Sequence, residues 1–400
     1  MDFSKKILET NYSPIRYIVP NIEGAIARGI KVHQMHIGQP NIETPASFFE
    51  GLKDYERKVV AYTNSQGLKE LLDAYASFYA GLGIDFDHEN MLITHGGSEA
   101  LIFAIATICN PDDEVLVPEP YYSNYDGFLK MSSAKGVPIQ LSGDNDYRLP
   151  NREEIVAKIT PRTKAILFSN PSNPLGTVLS LEEMELIRDI ALEFNLYIIS
   201  DEVYRQFVYD GAFYQSFLNM KGIDENVILI DSISKHYSVC GARIGLLASK
   251  NKEFIAQTFK LCQARLCVSE IEQFASARLI GDMPEYMNMV RGKYLARRDL
   301  FSKKLSEIEG VSFVFPRAAF YLFADLPVDD TELFVKWLLD EFELNGETLS
   351  FAPGSGFYIN AELGKRKARF SFCANELNEI ERSVEILKMG IKAYKGIKNI

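Results

Sequence analysis

Short apolar runs alternate with amphipathic segments through the middle of the chain. The runs EVLVPEP, KAILFSN, LYIIS and NVILIDS have the composition of β-strands, and each leads into turn residues. Between two of them, SLEEMELIRDIALEFN has helical spacing of its apolar positions, with Ser180 as the predicted N-cap and glutamates in the first turn. Apolar strands alternating with helices indicate an α/β fold with a mostly parallel sheet covered on both faces.

The pattern changes near residue 285. A long charged helical segment, PEYMNMVRGKYLARRDLFSKKLSEI, is followed by the strand-like run SFVFPRAAFYLFADL and a second helical segment. The first forty or so residues also lack the strand–helix alternation. We therefore predict a large domain at residues 46–285 and a smaller α+β domain formed by residues 1–45 and 286–400.

Composition excludes several classes of protein. The 400 residues carry a formal net charge of −11, which argues against a nucleic-acid partner. The N-terminal segment is charged where an export signal would be apolar, and no apolar run approaches the roughly 20 residues of a membrane helix. These features predict a cytoplasmic protein without a membrane partner.

Neither a disulfide framework nor a metal site is predicted. The histidines lack ligand spacing, and we interpret His33 and His36 as structural. The cysteines are scattered and odd in number, at Cys109, Cys240, Cys262, Cys267 and Cys373.

Polar residues follow the predicted strands, at the edge where open parallel sheets bind ligands. After the run that ends at Ile93, THGGSEALIFAIA places Gly97 and Ser98 at a helix start, where backbone N–H groups favour an anion. A tight turn without a ligand would leave the same local pattern. The motif is therefore weak by itself.

Three further predicted strands are followed by polar residues that could bind or react with a ligand. SNPSNPLGT holds Asn173 between prolines, DEVY places Asp201 three residues before Tyr204, and SISKHYSVCGARIG contains Lys235 and Arg243. Each has an ordinary structural explanation, such as a rigid turn or a solvated lysine. Together they match a cofactor with a phosphate, a cationic ring nitrogen, a phenolic oxygen and an aldehyde, which is pyridoxal 5'-phosphate.

Along nearly its whole length the chain resembles the class I/II aminotransferases, which are fold-type-I pyridoxal-phosphate enzymes. The resemblance implies a mostly parallel seven-stranded sheet between helices, a smaller α+β domain and a homodimer with shared active sites. The matching segments, in order, are IGQPNIETP, AYTNSQGLKELLDAYA, GGSEAL, PEPYYSNY, NPSNPLG, DEVY, SISKHYSVCGARIG, PRAAFYLF, FAPGSGF and ARFSF.

The resemblance implies roles for the residues around the cofactor ring. Lys235 would form a Schiff base with the aldehyde and later move a proton at the substrate Cα. Asp201 would pair with the ring nitrogen, and Tyr204 and Asn173 would hydrogen-bond the phenolic oxygen. Tyr122, in PEPYYSNY, would stack on the ring.

Other residues would hold the phosphate. The resemblance assigns this contact to the backbone at Gly97 and Ser98, to Ser232 and to Arg243, whose guanidinium suits phosphate. Tyr62 of the neighbouring subunit would add its hydroxyl, so that the site would be complete only in a dimer. The role of Ser234 stays open.

The substrate would be bound through its carboxylates. Arg369, in ARFSF, would bind the α-carboxylate, beside Asn173 and the backbone at Gly38. Arg265 falls where the partner subunit would reach the side-chain pocket, and it is a hypothetical partner for an acidic side chain. A surface ion pair is the alternative for Arg265.

The leading functional prediction is transfer of an amino group from an L-amino acid, acidic or aromatic, to a 2-oxo acid by a ping-pong route. A β-C–S lyase or an amino-cyclopropane-carboxylate synthase-like lyase would use the same cofactor residues and remains open. A pyridoxal-phosphate-sensing transcription regulator would need an added DNA-binding domain. A nicotinamide dehydrogenase would need a G-x-G-x-x-G motif after its first strand, which the chain lacks.

Overall fold

The computed structural model describes residues 2–280 and 283–398. The α-helices in these ranges are α1 (Lys5–Leu8), α2 (Val19–Ala27), α3 (Ala46–Lys53), α4 (Lys69–Gly81), α5 (Gly96–Ile108), α6 (Asn124–Met131), α7 (Arg152–Val156), α8 (Leu181–Glu193), α9 (Ile233–His236), α10 (Lys252–Arg265), α11 (Glu270–Ala277), α12 (Pro284–Leu305), α13 (Thr331–Asp340) and α14 (Leu377–Lys398). The strands are β1 (Lys31–Gln34), β2 (Met91–Thr94), β3 (Glu114–Glu119), β4 (Lys135–Gln140), β5 (Thr163–Ser169), β6 (Tyr197–Asp201), β7 (Val227–Ser232), β8 (Gly245–Ala248), β9 (Ser312–Phe313), β10 (Tyr321–Asp325), β11 (Glu347–Ser350), β12 (Ala352–Pro353) and β13 (Lys367–Ser371).

Among the described residues, seven strands form the central sheet in the order β2-β8-β7-β6-β5-β3-β4. Strand β8 is antiparallel to both of its neighbours, and the remaining pairs are parallel. The four apolar runs quoted above are β3, β5, β6 and β7. The helix after Ser180 begins with the predicted cap: Ser180 Oγ accepts a hydrogen bond from the Glu183 N–H, and the Glu183 carboxylate accepts one from the Ser180 N–H. The predicted fold class is therefore confirmed.

Successive strand residues point to opposite faces of the sheet, and each face has its own core. One face packs against α5, α6 and α10 through residues such as Val117, Leu167, Ile199 and Ile230. The other packs against α4, α8 and α11 through residues such as Leu116, Ile166, Ile198 and Leu229. Polar residues at the strand ends also point alternately to one face of the sheet and to the other.

A second unit is built from the two ends of the chain. Strands β12-β13-β10-β9 form an antiparallel sheet, and β1 pairs in parallel with β11. N-terminal residues Ile18, Ile22 and Met35 lie in the same apolar core as residues of α12, α13 and α14. This packing is what the N-terminal sequence led us to expect, and the exact domain limits stay a prediction.

No helix in the described ranges is long and apolar enough to cross a membrane. The five cysteines are free. The carboxyl ends of β5, β6 and β7 meet at one edge of the large sheet, and β13 of the smaller unit approaches the same edge. This edge contains most of the residues singled out in the sequence.

Candidate active site

The start of α5 lies against a loop that could not accommodate larger residues. Gly96, the first residue of the helix, has a φ of +70°, and a Cβ there would collide with the guanidinium of Arg243. A Cβ at Gly245 would collide with the Gly96 backbone. The free N–H groups of the helix start, at Gly97 and Ser98, are thereby brought beside a cation, and an anion is favoured there.

The loop after β7 supplies further groups beside this helix start. Ser232 Oγ lies 2.8 Å from Ser234 Oγ and 3.0 Å from the Ile244 carbonyl oxygen, and it accepts a hydrogen bond from the Ser234 N–H. Arg243 is exposed and donates to the carbonyl oxygens of Cys240 and His95 at 3.0 and 3.3 Å. Two hydroxyls, a guanidinium and a helix N-terminus therefore surround one small space.

Lys235 lies on the one-turn helix α9, directly after these serines. Its Nζ donates to the carbonyl oxygen of Gly38 at 2.7 Å and lies 3.9 Å from Cys240 Sγ. The carboxylates of the described residues all lie beyond ion-pair distance of Nζ, so the amine is held by neutral groups. An amine in this position is available for covalent chemistry.

Asp201 is a buried carboxylate without a cation. It accepts hydrogen bonds from the Tyr125 hydroxyl at 2.9 Å and from the Val203 N–H at 3.4 Å, and within the described residues no cationic side chain pairs with it. Burial raises the pKa of Asp201 to about 7, although both hydrogen bonds act in the opposite direction. A ligand cation here would offset the cost of burying the charge.

Tyr204 and Asn173 are connected by a chain of hydrogen bonds. The Tyr204 hydroxyl lies 2.9 Å from the Tyr321 hydroxyl, and Asn173 Nδ2 donates to Tyr204 at 3.4 Å. On the other side of the amide, Arg369 Nη1 donates to Asn173 Oδ1 at 3.1 Å. This series of hydrogen bonds connects Asn173 and Tyr204 of the large sheet's edge to Arg369 on β13.

Arg369 is one of the largest fully buried side chains, with 1% exposure. It donates to the His36 carbonyl oxygen at 2.6 Å, and its guanidinium carbon lies 4.5 Å from the ring centre of Tyr321 and 5.2 Å from that of Phe357. Its Nε has no hydrogen-bond partner in the described residues. A buried cation held only by neutral groups is suited to bind a carboxylate ligand.

Gly38 and Tyr122 line the space between these groups. A Cβ at Gly38 would collide with the Tyr321 hydroxyl, so glycine is required for packing within the protein itself. Tyr122 packs edge-to-face on Tyr125 at 5.4 Å and accepts a hydrogen bond from Asn124 at 2.8 Å. Its ring is thus fixed beside the tyrosine that holds Asp201.

Two predicted residues stand outside this cluster. Tyr62 is 82% exposed. Arg265 is part-buried in its own chain: it lies 3.6 Å from Glu99 and donates to the Ile93 carbonyl oxygen at 3.1 Å. The structure of one chain leaves both predicted contributions to a neighbouring site untested.

Sequence reasoning missed several contributors. Tyr125 holds Asp201, Tyr321 bridges Tyr204 and Arg369, and Gly96 allows the approach of Arg243. Tyr125 and Gly96 lie inside the quoted motifs PEPYYSNY and GGSEAL. Tyr321 lies in PRAAFYLF, yet nothing in that local pattern indicates a contact with a residue more than a hundred positions away.

Comparison with known proteins agrees with this geometry. A model of the family "Aminotransferase class I and II" matches residues 31–387. The aromatic-amino-acid aminotransferase 2 of Thermococcus litoralis is 30% identical, over 99% of this chain and 100% of that protein. The (5-formylfuran-3-yl)methyl phosphate transaminase of Methanocaldococcus jannaschii is 32% identical, over 96% of this chain and 98% of that protein. The solved structure of the Thermotoga maritima aspartate aminotransferase superposes with a TM-score of 0.86 at 26% identity, covering 100% of both chains.

The chain belongs to the class I and II aminotransferases, and the predicted resemblance is confirmed. It is a pyridoxal-phosphate-dependent transaminase. The residues of the site fit that cofactor, because an anion site, an uncompensated buried carboxylate and a free lysine amine occur together at one sheet edge.

Proposed function

We propose that this enzyme transfers the amino group of an L-amino acid to a 2-oxo acid by a ping-pong route, with Lys235, Asp201 and Tyr204 as its catalytic residues. The observation that carries the proposal is Asp201, which is buried at a strand end and whose partners in the described ranges are all neutral. Pyridoxal phosphate, when bound, supplies an aldehyde that condenses with amines and a cationic ring that withdraws electrons. Asp201 would hold the proton on the ring nitrogen of that group.

Lys235 would bind the cofactor covalently and then act as the base that moves a proton at the substrate Cα. Tyr204 and Asn173 would hydrogen-bond the phenolic oxygen, and Tyr122 would cover one face of the ring. The phosphate would be held by a set of groups around the α5 start, namely Gly97, Ser98, Ser232 and Arg243, with Tyr62 of a second subunit.

The substrate α-carboxylate would bind Arg369, near Asn173 and the backbone of Gly38. The relatives named above act on aromatic amino acids, on a furan phosphate and on aspartate, so their names leave the side-chain specificity open. We propose an acidic or aromatic amino donor. Arg265 of a second subunit stays a hypothetical partner for an acidic side chain, although Glu99 of its own chain competes for it.

A homodimer with shared sites is part of the proposal. Tyr62 belongs to an exposed apolar segment in which Val59 and Val60 are 72% and 59% exposed. A second copy of the chain would cover this segment and receive the Tyr62 hydroxyl. The predicted cytoplasmic location stays a prediction.

Mixed dimers test the sharing. A Lys235→Ala subunit retains Tyr62, and a Tyr62→Ala subunit retains Lys235, so each mixed dimer would contain one site with both residues. Full subunit exchange in an equal mixture of the two weak variants should restore about a quarter of the wild-type activity, because half of the dimers are mixed and each mixed dimer has one intact site of two. Absence of any gain over the separate variants would contradict sharing.

The activity itself is tested by visible absorbance of the purified holoenzyme, with a panel of amino acids followed by a 2-oxo acid. A transaminase converts the bound cofactor to its amine form with suitable donors, and the oxo acid reverses the change. Release of ammonia and an oxo acid without an added acceptor would favour the lyase alternative. Lys235→Ala provides the control, because it should lose the reversible change.

A further inference from the structure

A segment near the N-terminus crosses the part of the molecule that holds Arg369. Pro14 packs so closely on Gly356 that a Cβ there would collide with it. Ile15 packs beside the cluster that contains Phe357, and Ile18 is fully buried in the core of the smaller unit. Because Phe357 contacts Arg369, the intervening residue Arg16 is anchored on both sides near the substrate end of the site.

The charge of Arg16 reaches groups that line this end. Burial lowers the pKa of His36 to about 4, and Arg369 and Arg16 both add to that decrease. Burial raises the pKa of Tyr122, while Arg369 and Arg16 oppose the increase. The two guanidinium groups therefore act on the same pair of residues from the same region.

Arg16 is exposed, and within the described residues its side chain makes no hydrogen bond or ion pair. Arg369 likewise has only neutral hydrogen-bond partners there, Asn173 and the His36 backbone. Two arginines without a counter-ion among the described residues thus act on His36 and Tyr122, in a chain whose net charge is −11. This arrangement favours a ligand with two negative groups.

We propose that Arg16 binds the side-chain carboxylate of a dicarboxylic amino acid or 2-oxo acid while Arg369 binds the α-carboxylate. The inference rests on the proposed function, and it names the substrate class of that site. Guanidinium and carboxylate match geometrically, so a planar fork at Arg16 would select a second carboxylate over an aromatic ring.

Arg265 is the competing cation, and its surroundings argue against this role. Its guanidinium already has Glu99 and the Ile93 carbonyl oxygen within 3.6 and 3.1 Å in its own chain. Binding a substrate carboxylate would require Arg265 to leave those partners. The side chain of Arg16 has no such partner among residues 2–280 and 283–398.

The test compares Arg16→Gln and Arg16→Lys with wild type in single-turnover reactions of the holoenzyme with glutamate and with phenylalanine. We expect Arg16→Gln to lower kcat/KM for glutamate by roughly 10- to 100-fold, since a hydrogen-bonded charge pair is lost, and to lower it far less for phenylalanine. The lysine variant should retain part of the glutamate activity. Arg162→Gln, an exposed arginine at the other end of β5, is the control and should change neither constant.

Equal losses for both amino acids in Arg16→Gln would indicate a structural role and overturn the proposal. Loss of glutamate selectivity in Arg265→Gln in place of Arg16→Gln would also overturn it, as would a wild-type enzyme that converts phenylalanine but not glutamate. Calorimetric titration with succinate and butyrate gives a second readout, in which wild type should prefer succinate and Arg16→Gln should not. If wild type converts no amino acid, the proposed function fails, while the succinate preference still decides the role of Arg16.

Discussion

Asp201 and Asp231 lie on adjacent strands at the same edge of the sheet, yet their side chains have different partners. Their side chains point to opposite faces, since Asp201 is paired in register with Ile230 and Asp231 follows it. Asp231 forms an ion pair with Arg205 at 2.6 Å and accepts a hydrogen bond from Tyr79 at 2.8 Å. Asp201 accepts hydrogen bonds from a hydroxyl and an amide, and it pairs with no cation in the part of the chain that the structure describes.

The pKa shifts follow from these partners. Burial acts to raise the pKa of Asp231, but Arg205, His236 and Tyr79 together outweigh it, and the pKa falls below its usual range. Burial dominates at Asp201 and raises its pKa to about 7. The comparison teaches that the fold supplies a counter-ion to Asp231 but, among the described residues, supplies none to Asp201, whose charge a ligand could neutralise.

Removing the internal cation should have the largest effect. Arg205→Met leaves Asp231 buried without its counter-ion, and we expect a loss of about 3–5 kcal/mol in the free energy of unfolding, with or without cofactor. Urea denaturation provides the measurement. Addition of Asp231→Asn should recover much of the loss, whereas Lys69→Met, which breaks the exposed pair with Asp73, should change stability little. A small loss in Arg205→Met would show that the pair is not required.

Asp201→Asn should affect activity and leave the fold intact. Without the carboxylate, the ring cation of the cofactor would lose the buried partner that we propose for it, and we expect kcat to fall roughly 10²- to 10³-fold. The cofactor-free variant should unfold at the same or a higher urea concentration than wild type, because a costly buried charge is gone. A stability loss as large as that of Arg205→Met would remove the distinction between the two carboxylates.

The two carboxylates also differ in pH dependence. The pKa of Asp201 is raised from 3.8 to about 7, so the folded protein binds more protons than the unfolded chain between these values. The contribution of Asp201 to the free energy of unfolding therefore falls as the pH rises from about 4 to about 7. Asp231 has a lowered pKa, and its contribution is lost as the pH falls. Urea denaturation of the cofactor-free wild type and of Asp201→Asn, repeated between about pH 4 and pH 7, provides the measurement. The decrease in the free energy of unfolding that is due to Asp201 should occur in wild type and be absent from the variant.

The comparison also shows what the sequence could predict. The strand ends at Asp201 and Lys235 follow apolar runs, and parallel strands bring such ends to one edge, so their proximity could be expected. The partners that distinguish the two aspartates could not be predicted from the sequence. Tyr79 and Arg205 contact Asp231 from positions 152 and 26 residues earlier in the chain. The position of Arg16 could not be predicted either, because it depends on the packing of Pro14 on Gly356, which joins the two ends of the chain.

The smallest effects should come from the tyrosines that hold the two carboxylates. In cofactor-free protein at pH 6, Asp201 is largely protonated, so Tyr125→Phe removes a neutral hydrogen bond worth about 0.5–1.5 kcal/mol. Tyr79→Phe removes a hydrogen bond to an ionised carboxylate, worth about 1.5–3 kcal/mol. Urea denaturation of the two variants should therefore rank Tyr79→Phe as the more damaging.

Cofactor binding should reduce the difference in stability loss between Tyr125→Phe and Tyr79→Phe. A ring cation beside Asp201 favours the ionised carboxylate, which makes the hydrogen bond from Tyr125 a charged one as well. The loss of stability in Tyr125→Phe should then grow when the holoenzyme is compared with the cofactor-free protein, while the loss in Tyr79→Phe stays the same. If both losses stay constant, Asp201 does not change its charge when the cofactor binds, and the pairing proposed for it is wrong.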